Sequence, residues 1–310
     1  MDKSSKSKVI QAGKIASKVM KESKNFIEPG MLLLDIADRI ENRIKELGGE
    51  PAFPTNLSIN EIAAHYTPSY DDETTAHGLL KVDLGVQIDG WIADTAFSLD
   101  LETNSENQKL IRCAEECLEN ALKIVKKDIS TNEIGKEIQR TCISNNVHPI
   151  VNLTGHEVDK YDLHAGITIP NVNDKKNQKL SNGLYAIEPF VTSGTSGSGK
   201  VNEGNPSGIY LMLESKNVRS PTAREILTYI IEEYGSLPFC SRWLVRKFGT
   251  KALTALRQLE QQGNLHQFPQ LIEKSKCKVA QAEHTVLIQD DEIIITTKEN
   301  KQKKKNKSKK

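Results

Sequence analysis

The sequence predicts an α+β protein with a pseudo-two-fold duplication of helix, helix, strands, and a helical insertion within the second half. Three observations predict it. Apolar residues at helical spacing come in two pairs of segments. Each pair is followed by β-rich runs. A further helical stretch, residues 220–275, interrupts the second set of strands before two last strand patterns.

The first pair is carried by Val9, Ala12, Ala16, Val19 and Met20, then by Leu33, Ile36, Ile40, Ile44 and Leu47, with Gly48-Gly49 as the stop. Strand signals follow and end in LLKVDLGVQIDGWIADTAFSLDL. The second pair runs through Leu110, Ala114, Cys117, Leu118, Ala121 and Val125, then from Ser130-x-x-Glu133, read as a capping box, through Ile134 and Ile138. Strands resume at HPIVNLTG and GLYAIEPF. Residues 191–208 read as a loop. They are Gly-rich and contain a Lys, but lack the spacing of a phosphate-binding loop. Within the insertion, Ala223–Glu233, Ser241–Lys247 and Thr250–Gln261 are predicted helices. Arg242, Arg246, Lys247, Lys251 and Arg257 there have acidic neighbours and read as a solvated face framing a cleft, not as a DNA reader. KVAQAEHTVLI and EIIITT, separated by Asp290-Asp291, are the closing strands.

Composition is that of a globular protein: 310 residues, 37% hydrophobic and 27% charged. No apolar run approaches the ~18 residues that span a bilayer, and the Ser- and Lys-rich start has no signal-peptide core. The five cysteines, at 113, 117, 142, 240 and 277, form no C-x-x-C pair. Cys113 and Cys117, four apart, suit packing on a helix face. All five read as reduced core residues of a cytoplasmic protein. The net charge of +1 hides an asymmetry: residues 298–310 hold eight Lys and one Glu, +7, which leaves −6 for residues 1–297.

Asp89-Gly90 between β-rich runs signals a type I′ hairpin. With those two as the turn, Ile88 pairs with Trp91 and Gly85 with Asp94. Asp83 then shares a face with Gly85, diagonal to Asp94, at roughly 7–8 Å between backbones. Two such carboxylates can converge on ions, with Gly85 leaving the room. Val82, Leu84, Val86, Ile88, Trp91, Ala93 and Phe97 form the opposite face, suited to packing on helices. His156 in LTGHEV, Glu188 in LYAIEPF and Glu283 in VAQAEHTVLI also lie in apolar strand patterns, where a charge is costly to bury unless paired or metal-bound. Four carboxylates and one imidazole suit hard or borderline divalent ions.

These residues resemble a known family. GLLKVDLGVQIDGWIAD is similar to the metal-binding signature of methionine aminopeptidases, and PAFPTNLSINEIAAHYTP (51–68) to the segment that marks their type II branch. LTGH, LHAG (163–166), AIEPF and AQAEHT follow in the family's order and roughly its spacing, and the insertion before AQAEHT is another type II feature. The resemblance covers about residues 8–297, with Ala282 where the family has an aromatic, and looks like the short archaeal form. It implies the pita-bread (creatinase/aminopeptidase) fold in residues 1–297, a type II helical subdomain at 220–275 and a disordered Lys-rich tail at 298–310. It implies two divalent ions of Co, Mn, Fe or Zn. Asp94, His156, Glu188 and Glu283 would hold one; Asp83, Asp94 and Glu283 would hold the other. A hydroxide shared by the ions would attack the first peptide bond, with Glu188 shuttling the proton, His164 donating to the oxyanion and His65 positioning the scissile bond. Phe53, Leu163 and Phe268 would line the methionine pocket.

The activity so implied is removal of the initiator methionine from the N-terminus of nascent polypeptides when the second residue is small. The chain is expected to act as a cytoplasmic monomer without membrane contact. Two rivals stand beside this reading: a prolidase- or aminopeptidase P-like peptidase, and a non-catalytic ribosome- or nucleic-acid-binding relative on the same fold. The tail is open to two uses, as a solubilising end or as a ribosomal RNA contact.

Overall fold

The computed structural model describes residues 1–194 and 199–299. In chain order the elements are α1 (Lys3–Phe26), α2 (Leu33–Glu46), β1 (Glu50–Pro51), β2 (Asn56–Ile59), β3 (Ile62–Ala64), β4 (Leu79–Ile88), β5 (Trp91–Asp100), α3 (Ser105–Ile124), α4 (Thr131–Ser144), β6 (His148–Pro149), β7 (Thr154–Val158), β8 (Thr168–Pro170), β9 (Gly183–Ile187), β10 (Phe190–Thr192), β11 (Val201–Met212), α5 (Pro221–Glu233), β12 (Phe239–Cys240), α6 (Ser241–Phe248), α7 (Lys251–Gln261), β13 (Leu265–Glu273), β14 (Val279–Gln281), β15 (His284–Gln289) and β16 (Glu292–Ile295). No helix among the described residues is long and apolar enough to cross a membrane.

The helix–helix–strand order occurs twice, and each occurrence has its own core. In the first, Ala16, Ile36 and Ile40 of α1 and α2 pack on Val82, Leu84, Val86, Ala93 and Phe97 of the β4–β5 hairpin. In the second, Leu110, Cys117 and Ile138 of α3 and α4 pack with Ile187, Ala280 and Val286. The hairpin has the predicted register: Ile88 pairs with Trp91 and Gly85 with Asp94. Its turn has positive φ at both Asp89 and Gly90, the type I′ geometry that matches strand twist. Trp91 leaves the expected face and packs with Val9 and Leu287 in a separate cluster.

The halves meet along a seam between β5 and residues 281–285. The Glu283 amide donates to the Ala96 carbonyl (3.0 Å). The Asp94 amide donates to Thr285 Oγ1 (2.8 Å), and Thr95 Oγ1 donates to the Glu283 carbonyl (2.8 Å). This seam sets a carboxylate of the first half beside one of the second.

Three expectations change. Ser130 does not cap α4 with its side chain. Its backbone bridges to Lys179 and the Thr131 amide donates to the Gln178 carbonyl, so a neighbouring segment supplies the partners a capping box would have given. Residues 201–208 are not loop: they begin β11, which pairs with β13 through two register shifts. Residues 195–198, from the Gly-rich part of that stretch, lie outside the described residues. The 220–275 stretch is also not wholly helical, because β12 and β13 lie within it and join β11 and β3 in one sheet.

Candidate metal centre

Strand parity and the central seam bring Asp83, Asp94, His156, Glu188 and Glu283 to the floor of one cavity of about 290 Å³. Asp83 and Asp94 come from the hairpin, His156 from β7. Glu188 lies just past β9, and Glu283 between β14 and β15. Ligand atoms of Asp94, His156 and Glu283 all lie within 4.8 Å of one another. His156 Nε2 is 3.7 Å from Asp94 Oδ2 and 3.6 Å from Glu188 Oε1. Asp83 joins through Gln281, whose side-chain amide donates to Asp83 Oδ2 at 3.2 Å and to Glu283 Oε2 at 3.5 Å.

The protonation states are set by burial. Desolvation pushes Asp83 up to about 7. It holds Asp94 well above the usual carboxylate range, with the charge of Asp83 adding to it. Glu188 and Glu283 are raised in the same way, by burial first and neighbouring carboxylates second. Burial drives His156 down to about 3, so the ring is neutral. His156 Nδ1 faces the Glu157 carbonyl at 3.3 Å. A carbonyl can only accept, so the proton sits on Nδ1 and the Nε2 lone pair points to the carboxylates. Among the described residues, buried Asp83 Oδ1, Asp94 Oδ1 and Glu283 Oε1 have no hydrogen-bond partner. Crowded carboxylate oxygens lacking donors, beside a free imidazole lone pair, are the donor set a divalent cation completes. The residues fit a metal.

The other sequence-predicted residues stand around the same cavity: His65, His164, Phe53, Leu163 and Phe268 all line it. His65 has a left-handed backbone (φ 62°), an uncommon conformation for a residue with a side chain. Its Nδ1 lies 3.2 Å from the Pro269 carbonyl, so here too Nδ1 carries the proton and Nε2 is left as an acceptor. Burial lowers its pKa to about 4. Its ring meets the Phe268 ring edge-on at 5.5 Å. His164 is exposed at the rim, its ring centroid 4.4 Å from that of His156.

The room left by Gly85 is not kept for ions. A Cβ there would overlap the Phe53 ring and press on Ala52, so glycine lets Phe53 lie against β4. Ala282 turns away from the cavity into the core of the second half, while Glu283 beside it is buried at the site. Gln281 and Thr285 are additions to the sequence-predicted residues; Gln281 shares the strand parity of Glu283 in AQAEHT, the one mark by which the sequence could reveal it. Ile209 and Pro238, which complete the apolar wall, carry no sequence signal. Arg242, expected on a solvated face, is fully buried. It donates to Glu41 (2.5 Å), to Thr67 Oγ1 (3.1 Å) and to the Pro68 carbonyl (2.6 Å).

Comparison with known proteins identifies the family. Residues 7–290 match the model of metallopeptidase family M24. The methionine aminopeptidase of Methanocaldococcus jannaschii is 44% identical over 294 residues, 94% of this chain and 98% of the relative. A solved structure of a thermophilic Arx1 superposes with a TM-score of 0.81 at 17% identity, covering 96% of this chain and 91% of that one. The methionine aminopeptidase of Thermotoga maritima gives 0.69 at 24%, covering 96% and 98%. The two structures are similar to this chain in fold, and that fold is the pita-bread fold. With a family match across residues 7–290 and a relative this similar over nearly its whole length, the chain belongs to the methionine aminopeptidases of metallopeptidase family M24.

Proposed function

We propose that this chain is a metal-dependent aminopeptidase that removes the initiator methionine from nascent proteins when the second residue is small. The observation that carries the reading is the convergence of five ligating side chains, Asp94, His156 and Glu283 buried and Asp83 and Glu188 largely so, in one apolar-walled cavity. Asp94, His156, Glu188 and Glu283 would hold one divalent ion and Asp83, Asp94 and Glu283 a second, of Co, Mn, Fe or Zn. Once bound, such ions supply Lewis acidity and an acidified water.

The remaining chemistry belongs to the side chains. Glu188, whose proton affinity is raised by burial, is suited to carry a proton to the departing amine. His164 at the rim would donate to the oxyanion. The Nε2 of neutral His65 would accept a hydrogen bond from the substrate backbone and so fix the scissile bond. Phe53, Leu163 and Phe268 would take the methionine side chain, whose flexible thioether fits an aromatic wall. The small-second-residue rule would require the cleft beyond it to be narrow enough to exclude a large side chain by steric overlap. The five free cysteines support work in the reducing cytoplasm. The Lys-rich 298–310 segment would serve either as a solubilising end or as a contact with ribosomal RNA phosphates, and the chain would act as a monomer.

Methionine release from Met-X-Ser peptides with Mn or Co tests the reading. Gly, Ala, Ser, Thr and Val at X are expected to be cleaved well, and Lys, Glu and Phe poorly. Faster cleavage of Gly-Pro than of Met-Ala-Ser would move the assignment to a prolidase-like peptidase. No cleavage of any peptide by metal-loaded protein would leave a binding role.

A further inference from the structure

Cys113 and Cys117 on α3 were expected only to pack a helix face. The structure adds Cys142 from α4 to them. The Cys113 and Cys117 sulfurs are 4.0 Å apart, those of Cys117 and Cys142 are 3.5 Å apart, and all three lie within 4.8 Å of one another. All three are free thiols with exposures of 1% or less, in the apolar cluster that holds Leu110, Ile138 and Val147. They lie on α3 and α4, whereas the five carboxylate and imidazole ligands lie on or beside strands.

Three sulfurs held by one pyramidal centre at bonds of roughly 2.3 Å sit about 3.3–3.5 Å apart. The thiols are therefore already near the spacing of a three-coordinate soft centre. Among the described residues no His, Asp or Glu completes this group. That argues against structural zinc, which takes a fourth ligand. Charge narrows the choice further. Three thiolates around a divalent ion leave one net negative charge in the apolar core, and around a monovalent ion they leave two, with nothing there to solvate either. A trivalent centre leaves none.

We propose that Cys113, Cys117 and Cys142 form a buried binding site for a trivalent thiophilic centre, of which trivalent arsenic is the representative. The exchange balances without redox change. Three S–H bonds and the three As–O bonds of arsenous acid break; three As–S bonds form, and three waters leave. The product is neutral and pyramidal, its lone pair standing where a fourth ligand would be. Because the sulfurs are buried, loading follows local opening between α3 and α4 and is slow. Once loaded, the site links the two helices, so the protein should unfold at a higher temperature.

The test is incubation of the full chain, with its divalent metal bound, in arsenite, followed by intact mass and by peptide mapping of the thiols still open to alkylation. One arsenic less three hydrogens is expected, with Cys113, Cys117 and Cys142 alkylated less than in an arsenic-free control opened to the same extent, while Cys277 and the buried Cys240 are alkylated alike with and without arsenite. Cys117→Ala and Cys142→Ala should each retain arsenic at least tenfold more weakly. Cys240→Ala and Cys277→Ala should behave as the unmodified chain. If a core variant does not fold, the peptide map of the wild-type chain decides the same question. The proposal is overturned by no adduct after prolonged loading, by protection of Cys240 or Cys277 instead, or by an adduct unchanged in folded Cys117→Ala. Stoichiometric zinc at these thiols that excludes arsenite would also overturn the trivalent assignment.

Discussion

Asp94 is tied into the site through both its backbone and its carboxylate. Its amide is fixed by Thr285, one carboxylate oxygen is 3.7 Å from His156, and the other is buried without a partner. Asp94→Asn removes a charge from a cluster in which the backbone of the neighbouring carboxylate, Glu283, is pinned by the seam. Turnover of Met-Ala-Ser at saturating Mn or Co should fall at least ~100-fold; a change within threefold would show that Asp94 is not a shared ligand. His65 makes the opposite prediction. It donates to Pro269 and not to the carboxylates, so His65→Ala should bind metal normally and lose most activity. The resemblance to the methionine aminopeptidases also implies that His65 is the residue their epoxide inhibitors alkylate, and its unprotonated Nε2 would be the nucleophile. Intact mass should show one adduct on the wild-type chain and none on the variant, and an adduct that survives the substitution rejects the assignment.

The β4–β5 hairpin was legible in the sequence because a two-residue turn with period-two strands fixes every pairing from one count. The same parity put Asp83 and Asp94 on one face and Ala282 on the other side from Glu283. β11 was not legible. Residues 202–206 are exposed and rich in Gly, Pro and Asn, and their partner β13 lies some sixty residues on. Arg242 was misread for a related reason: an arginine on a short helix reads as surface until its partner is known. That partner, Glu41 on α2, also accepts from Trp243 Nε1 (2.7 Å) and the Thr55 amide (3.1 Å). The network fastens α6 to the 55–68 segment that carries His65. Arg242→Met would leave the Glu41 charge buried and unpaired, at a cost of about 3–5 kcal/mol. Denaturant titration should show that loss, and Glu41→Gln combined with Arg242→Met should recover part of it. An Arg242→Met chain as stable as the wild type would mean the network is dispensable.

Across the whole molecule, the buried carboxyls tie stability to pH in an unusual direction. Asp83 is raised from its ordinary 3.8 to about 7, and Asp94, Glu188 and Glu283 are each held well above the usual carboxylate range. Between the unfolded values and these raised ones, the folded metal-free chain holds protons that the unfolded chain has released. Its stability is therefore present below the unfolded pKa and declines as pH rises through about 7. Divalent metal takes the place of those protons, so the gain in Tm on adding Mn to chelator-treated protein should be larger at pH 7.5 than at pH 5.5. An equal gain at both would mean that the raised carboxyls are not the metal's ligands. Charge also divides the chain as a whole, −6 before residue 298 and +7 after it. Of that end, Lys298 and Glu299 are described, with Glu299 paired to Lys21 at 3.0 Å; 300–310 lie outside the described residues. The segment KENKQKKKNKSKK has no aromatic residue to stack on bases, so a nucleic-acid contact through it would be to phosphates and independent of sequence. Each phosphate neutralised steepens the log–log salt dependence by roughly 0.7–0.9, so the contact should weaken sharply from low to moderate salt. Deleting 298–310 should abolish co-sedimentation with ribosomes at low salt and leave tripeptide cleavage unchanged, because the segment begins after β16. Equal sedimentation of intact and truncated chains would reduce the tail to a solubilising end. Loss of tripeptide cleavage would instead make it part of the catalytic domain, through the Lys21–Glu299 pair that ties it to α1.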